Sequence, residues 1–342
     1  MLRLKSNIIF TRDDQITYDF DYLVDCQIES DWDNYVSVCK LKVPNRFKQN
    51  NKTVIAEFRK GDKVFVNLGY VPNLYTEFVG YVNEIKQGDV VELTCEDSSY
   101  LLKRRTIRNY SSSGLTIEEL IKDIWDELGF DFDYEIDDPN TYIGSIRIKQ
   151  GNAMQLFDTL KKNFRYKIFF QGEILYIVRP YNLTQTQAQR EAITKRFSFQ
   201  QNIIQSNLTY QNSVDNDIVL KGTVNITGTN TKIERWAYYD NKGEIQTSNV
   251  AIIGNQRTKI YPDGYTAKQL ETEMKKDLPD YSYSGYKGDF LTFLEPSVKP
   301  RMFATIYDDK YPEREGTYII KSVKKSFGVN GGRQQIELNK KS

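Results

Sequence analysis

Apolar and polar residues alternate in short runs over residues 1–104. YVSVCKLKV (35–43), DKVFVNL (62–68), FVGYVNEI (78–85) and VVELTCE (90–96) place apolar side chains at about every second position, with Gly and Asn between the runs. A period of two marks a strand with one buried face. Runs this short, linked by turn residues, predict antiparallel β-structure.

The period changes near residue 105. After RNYSSSG, the stretch LTIEELIKDIWDELG puts Ile117, Leu120, Ile121, Ile124, Trp125 and Leu128 on one helical face. Thr116 and Glu119 have the spacing of a capping box, and Gly129 is a C-terminal stop. A strand pair, FDFDYEI and GSIRIKQ, is expected next. A second helix then opens at Asn152 and carries Leu156, Phe157, Leu160 and Phe164. The hairpin YKIFFQGEILYIV (166–178) follows, turning at Gln171-Gly172. These elements describe an α/β module with its own apolar faces.

Residues 183–196 are polar and unpatterned, which predicts a linker. Strand patterns return in NIIQSNLTY (202–210), DIVLKGTVNIT (217–227) and KIERWAYYD (232–240). A short helix over 266–278 precedes the Tyr-rich YSYSGYKGDF (281–290).

The last part of the chain echoes the first. With Phe65 over Phe303 (303 − 65 = 238), VFVNL lies over MFATI, Glu77 over Glu315 and VNEIK over IKSVK. Both copies end in Glu-Leu, at 92–93 and 337–338, the later one after the longer turn GVNGG. A further strand pattern stands ahead of each copy, CQIES…VSVCKLKV (26–43) and IQSNLTY…DIVLKGTV (204–224). Amphipathic hairpins resemble one another through alternation alone, so the identities carry less than the shared order. The echo implies two related antiparallel β-barrels, at 1–104 and at 183–227 with 285–342. An α/β insertion (105–182) separates them, and a smaller insertion (228–284) interrupts the second. The fold class is α+β, mainly β.

Composition narrows the chemistry. The 342 residues suffice for two or three domains with real cores. Lys+Arg 47 against Asp+Glu 46 gives no global field for nucleic acid or an anionic membrane. The 24 Tyr and 18 Phe suit β-rich domains and large interfaces. Without a single histidine, the chain has no His-based general base or zinc site. Cys26, Cys39 and Cys95 form no CxxC motif; Cys39 and Cys95 read as small core residues, and Cys26 as the most accessible thiol. The start, MLRLKSNIIFTRDD, has too short an apolar run for a signal peptide, and no stretch reaches membrane-spanning length. Synthesis and folding in a reducing host cytoplasm and no stable membrane insertion are expected; the sequons at Asn182, Asn207 and Asn225 then carry no meaning.

Residues 114–140 hold ten Asp/Glu against one Lys, the pattern of a solvated face or, less often, of a docking surface. Asp137-Asp138 and Asp308-Asp309 are adjacent pairs in turn-like IDDPN and YDDKYP. A glycosidase needs carboxylates facing each other across a cleft. GVNGG leads into no helix and reads as a hairpin turn, not a phosphate cradle. Residues 299–342 carry ten Lys/Arg against five Asp/Glu, alternating with apolar positions as on an outer strand face. No catalytic, cofactor-binding or metal-ligating residue is nominated, and no cofactor or enzymatic activity is expected.

FVGYVNEI followed by VELTCEDSSYLLKR (91–104), NIIQSNLTY, and the final EPSVKPRMFATIYD…GTYIIKSVKKSF…RQQIELNKK together resemble the hub proteins of phage tails. That family comprises the baseplate hub of contractile phages, the late control protein D family and the hub part of VgrG spike proteins. The order of barrel, α/β insertion and interrupted second barrel is similar over nearly the whole chain. The resemblance implies a homotrimeric ring presenting six barrels, which adapts a sixfold tail tube to a threefold spike or tip at the tail tip or baseplate of the virion. The partners it implies are the tail tube or distal tail protein, the spike or tip protein, tape-measure protein, and DNA passing non-specifically through the channel. The chain departs from some members in ending soon after the second barrel, so no fused lysin, needle or protease domain is expected. Two other classes compete: a tail-associated cell-wall hydrolase or protease, and a carbohydrate-binding tail-tip module motivated by Trp236, Tyr238 and Tyr239, read as exposed aromatics.

Overall fold

The computed structural model describes residues 3–12, 16–34, 36–49, 52–55, 57–130, 133–164, 166–178, 187–213, 217–226, 231–261 and 265–342. The chain divides into two compact units. One comprises Met1–Lys195, Leu291–Met302 and Ile320–Glu337; the other comprises Arg196–Phe290, Phe303–Ile319 and Leu338–Ser342.

In the first unit, the alternating runs form one antiparallel array. Its order is Gly316–Gly328 (through residues 320–328), Asp25–Asp31, Val38–Pro44, Val90–Glu96, Asn73–Lys86, Lys63–Tyr70, Leu4–Thr11 and Thr17–Phe20. Every second side chain points into a core that includes Ile8, Phe10, Leu41, Val66, Leu93 and Phe327. All three cysteines are buried in it. Cys39 pairs across strands with Cys95, and the Cys26 and Cys39 sulfurs are 3.9 Å apart. Cys26, expected to be the accessible thiol, is 0% exposed, and burial pushes the Cys39 and Cys95 thiols up.

The α/β module belongs to this unit but has its own core of Ile117, Leu120, Ile124, Trp125, Phe157, Leu160 and their neighbours. Its first helix, Ile117–Leu128, buries the six predicted residues and carries the predicted capping box between Thr116 and Glu119. Gly129 ends it at φ 61°, a left-handed conformation that costs other residues strain. The second helix is Ala153–Phe164; the Asn152 side chain accepts the Gln155 N–H at 3.2 Å. The Phe164 side chain lies outside the described residues.

The two strands expected to pair after the first helix do not meet. Tyr134–Ile136 runs parallel to Ile174–Val178, whereas Tyr142–Asn152 pairs with Thr106–Thr116. The latter includes RNYSSSG, whose serines show no apolar period; pairing with a long neighbour determines this strand where local pattern does not. Of the expected linker, residues 183–186 lie outside the described residues. Gln187–Ala192 is a short helix and Thr194–Ser198 a strand.

The second unit contains a four-stranded sheet in the order Ile245–Ser248, Lys232–Tyr239, Ile218–Asn225, Asn255–Ile260. The helix Ala267–Asp277 packs on it through Leu270 and Met274 against Leu220, Val224 and Ala237. At Gly222 a Cβ would lie 2.4 Å from the Met274 sulfur, so glycine lets the helix sit close. DIVLKGTVNIT, read as a second-barrel strand, thus supplies a central strand of this sheet. Elsewhere in the unit Thr209–Gln211 pairs with residues 285–287, the start of Gly285–Phe293, and Phe303–Tyr307 pairs with the start of Gly316–Gly328. Aromatic packing there includes Phe197 on Phe290 at 5.0 Å.

The two echoing hairpins can be compared strand by strand. Val66 and Leu68 are buried with Asn67 between them, and Ala304 and Ile306 are buried with Thr305 between them. Val91 and Leu93 likewise correspond to Ile336 and Leu338. A single offset of 238 does not run through both strands, however. Phe65 pairs with Val79 and Phe303 with Ile319, whereas Val79 lies over Thr317 at that offset. The two-residue difference is even, so it does not by itself exchange the faces of the second strand; in the first strand the match fails at Phe65, half-buried where Phe303 is fully buried.

Candidate functional site

The acidic pairs found in the sequence do turn chemistry. Asp138 has φ 54°, and its carbonyl accepts the Thr141 N–H at 2.9 Å. Asp308 is buried, and its carboxylate accepts the Tyr286 hydroxyl at 2.7 Å and the amides of Lys310 and Tyr311 at 3.1 and 3.3 Å. Burial alone would raise the Asp308 pKa, but these donors outweigh it and hold the carboxyl below its usual range. In neither pair does the hydrogen bonding aim two carboxylates across a cleft. Val329 and Asn330 of GVNGG form the hairpin turn.

A buried polar cluster in the first unit was not foreseen. Lys325 is paired directly with Glu77, their side chains 4% and 1% exposed. Ser297 donates to Glu77 Oε1 at 2.7 Å and accepts from Lys325 Nζ at 2.9 Å. Gln334 donates to the Pro296 carbonyl at 2.7 Å. A serine beside a lysine can form a nucleophile–base couple when the amine is free to take the proton. Here the amine is held against a carboxylate, and the serine proton is committed to that carboxylate. Burial pushes the Lys325 pKa down while Glu77 opposes it. The arrangement satisfies buried charges and offers no free base. Its sequence signal was Lys325 in phase with the apolar Val323 and Phe327 of KSVKKSF, which the reading of the basic residues there as an outer face passed over.

Beside this cluster a cleft is lined by Asp31, Ser37, Glu77, Asp97, Phe169 and Lys299, among others. Burial raises the Asp97 pKa to about 6, although its oxygens accept the amides of Ser37 and Ser99 at 2.6 and 3.0 Å. Across the cleft the α/β module is held by Lys161 on the Asp33 carbonyl at 2.8 Å, Lys167 on the Asp33 carboxylate, and Lys63 on Glu173. Arg301 adds cation–π contacts to Phe169 and Tyr176 at 5.8 and 5.7 Å. These contacts fasten elements to one another and position no reacting group.

Trp236, read from the sequence as an exposed aromatic, is 8% exposed. Lys221 stands over its ring at 5.6 Å, and Tyr238 and Tyr239 are half-buried. The indole therefore offers no open stacking platform. Among the exposed aromatic rings, Tyr210 and Tyr311 lie 5.3 and 4.0 Å from the Arg314 guanidinium.

No protein-family model matches the chain, and neither does any curated protein. Solved structures do. A tail protein from Neisseria meningitidis is 12% identical with a TM-score of 0.66, covering 99% of this chain and 97% of that one. The 43 kDa tail protein of a Shewanella oneidensis prophage is 14% identical with a TM-score of 0.62, covering 98% of each chain. The Francisella PdpA–VgrG complex contains a chain 9% identical with a TM-score of 0.58; the match covers 99% of this chain and 53% of that one. At such identities the likeness is one of fold, extending from end to end. The chain has the mainly-β fold of these phage tail proteins and of the VgrG-complex chain.

Proposed function

We propose that this chain is a structural hub of a phage tail tip or baseplate, or the equivalent part of a phage-derived injection system, and acts without catalysis. Three copies close into a ring around a central channel and present six barrels. One side of the ring meets the sixfold tail tube or distal tail protein, and the other meets a threefold spike or tip. Tape-measure protein and DNA pass through the channel. In this reading 1–104 forms the first barrel and parts of 183–227 and 285–342 the second. The α/β module of 105–182 and the smaller module, with Ile218–Asn225 added to 228–284, are insertions.

The observation that carries the proposal is the full-length likeness to tail proteins. The two hairpins with the same alternation support it: a chain with two similar barrels lets a threefold ring offer six similar surfaces. A cryo-electron microscopy map of the particle containing this chain tests it. The expected result is three copies at one axial level with six barrels at similar radius; six copies would overturn the symmetry-matching mechanism.

A further inference from the structure

Residues 31–34 and 37, between two strands of the first unit, tie its cleft to the α/β module. At one end the Asp31 carboxylate accepts the Asp33 N–H at 2.7 Å. At the other, Asp97 accepts the Ser37 N–H and returns its own N–H to the Ser37 carbonyl at 3.1 Å. Between them Asp33 takes both Lys161 and Lys167 of the module. Asp97 therefore holds the stem of a connection whose tip anchors the module.

The two walls of the cleft differ in chemistry. The module contributes Phe169, Phe170, Gln171 and Gly172, none of which ionises. The opposite wall contributes Asp31, Glu77 and Asp97, with Lys299. Glu77 is neutralised by Lys325. Glu96, next to Asp97 in sequence, bonds Lys103 of the helix Ser99–Arg104, and Arg104 lies over the Tyr100 ring. Asp97, 3% exposed, is held by the Ser37 and Ser99 amides and by no cation among the described residues. Burial outweighs those amides and raises its pKa to about 6, and it raises Asp31 in the same direction. A closed cleft thus binds a proton more tightly than an open, hydrated one.

We propose that this cleft is a proton-linked joint: residues 169–172 close against a protonated Asp97, and ionised Asp97 draws water in and loosens the Asp33 anchor of the module. The joint lies within one unit of one chain and is independent of the ring. Its sense follows from linkage. The preference for closure is complete below about pH 4 and is lost as pH rises through 6. With a hydrated Asp97 at its reference value in the open state, closure weakens about tenfold between pH 5 and 7.

The test is hydrogen–deuterium exchange of the full chain, read by mass spectrometry at pH 5 and 7 and corrected for the intrinsic exchange rate. In wild type, opening of residues 31–34 and 167–172 should be about tenfold more populated at pH 7, with Leu4–Thr11 as an unchanged reference. Asp97→Asn should abolish the difference. Asp33→Asn should open the same residues further at both pH values and keep the difference. No step in wild type, a step of opposite sign, or a step retained in Asp97→Asn overturns the joint. A step shared by Leu4–Thr11 also overturns it, because unfolding of the whole unit would then carry the linkage. Unchanged opening in Asp33→Asn overturns the connection to the module. If Asp97→Asn does not fold, wild type followed from pH 4 to 8 decides. Opening that rises with pH and levels off above about pH 6 is expected; opening that levels off below pH 5 overturns the joint.

Discussion

Removing the Lys325 amine would leave the Glu77 carboxylate, on a side chain 1% exposed, without its counter-charge. Breaking one side of such a pair costs about 3–5 kcal/mol, mostly through the stranded charge, whereas an apolar replacement of both partners is often tolerated. Lys325→Met should therefore destabilise strongly, and Lys325→Met with Glu77→Leu much less. Urea denaturation of the single and double variants measures this, and equal losses would contradict it. Asp97 predicts the opposite pH sense from an ordinary salt-bridged carboxylate. Its folded pKa, about 6, lies above the reference 3.8, so the fold favours the protonated form. The stability this gives is complete below about pH 4 and is lost as pH rises through 6, amounting to about 3 kcal/mol. A carboxamide in its place cannot ionise, so wild type should lose ground to Asp97→Asn between pH 4 and 7. If wild type gained instead, the carboxylate would be better solvated than its burial implies.

At the scale of elements, legibility followed local information. Ile117–Leu128 could be read in full because six apolar residues at helical spacing and both caps lie within one short segment. Thr106–Thr116 could not, since its serines have no period and its partner strand begins at Tyr142. The same limit hid the destination of Ile218–Asn225, because alternation gives a strand its faces but not its neighbours. The contact of Arg314 with the Tyr210 ring was missed for a related reason: the two residues are far apart in sequence, and no motif joins them. The α/β module has its own core and is tied to the neighbouring sheet by the Lys161, Lys167, Lys63 and Arg301 contacts. Replacing 107–180 by a short Gly/Ser linker should leave a soluble, β-rich chain. Aggregation with loss of the β circular dichroism signal would mean that the module is integral to the sheet beside it.

For the molecule as a whole, the units are not consecutive stretches of sequence. The strand Asp25–Asp31 takes one neighbour from Val38–Pro44 and the other from Ser322–Gly328. Phe327 and Leu294 complete the core of the N-terminal array. A fragment of residues 1–195 would lack these and expose a strand edge, a template for aggregation. Such a fragment should aggregate or stay expanded in size-exclusion chromatography, and co-expression of 291–337 should restore a compact species. A monodisperse, cooperatively melting 1–195 fragment would refute this dependence.

The same late strand also sets a clock for synthesis. At about 5–20 residues per second, on the order of 15–60 s separates the emergence of Asp31 from that of Ser322, and for that interval the Asp25–Asp31 edge waits unpaired. Nascent chains on crowded ribosomes are then most open to joining one another by that edge, and a chaperone that shields strands has its greatest opportunity. A chain cut short by premature termination never receives its closing strand, so incomplete copies present an open edge to the cell's proteases before they can enter an assembly.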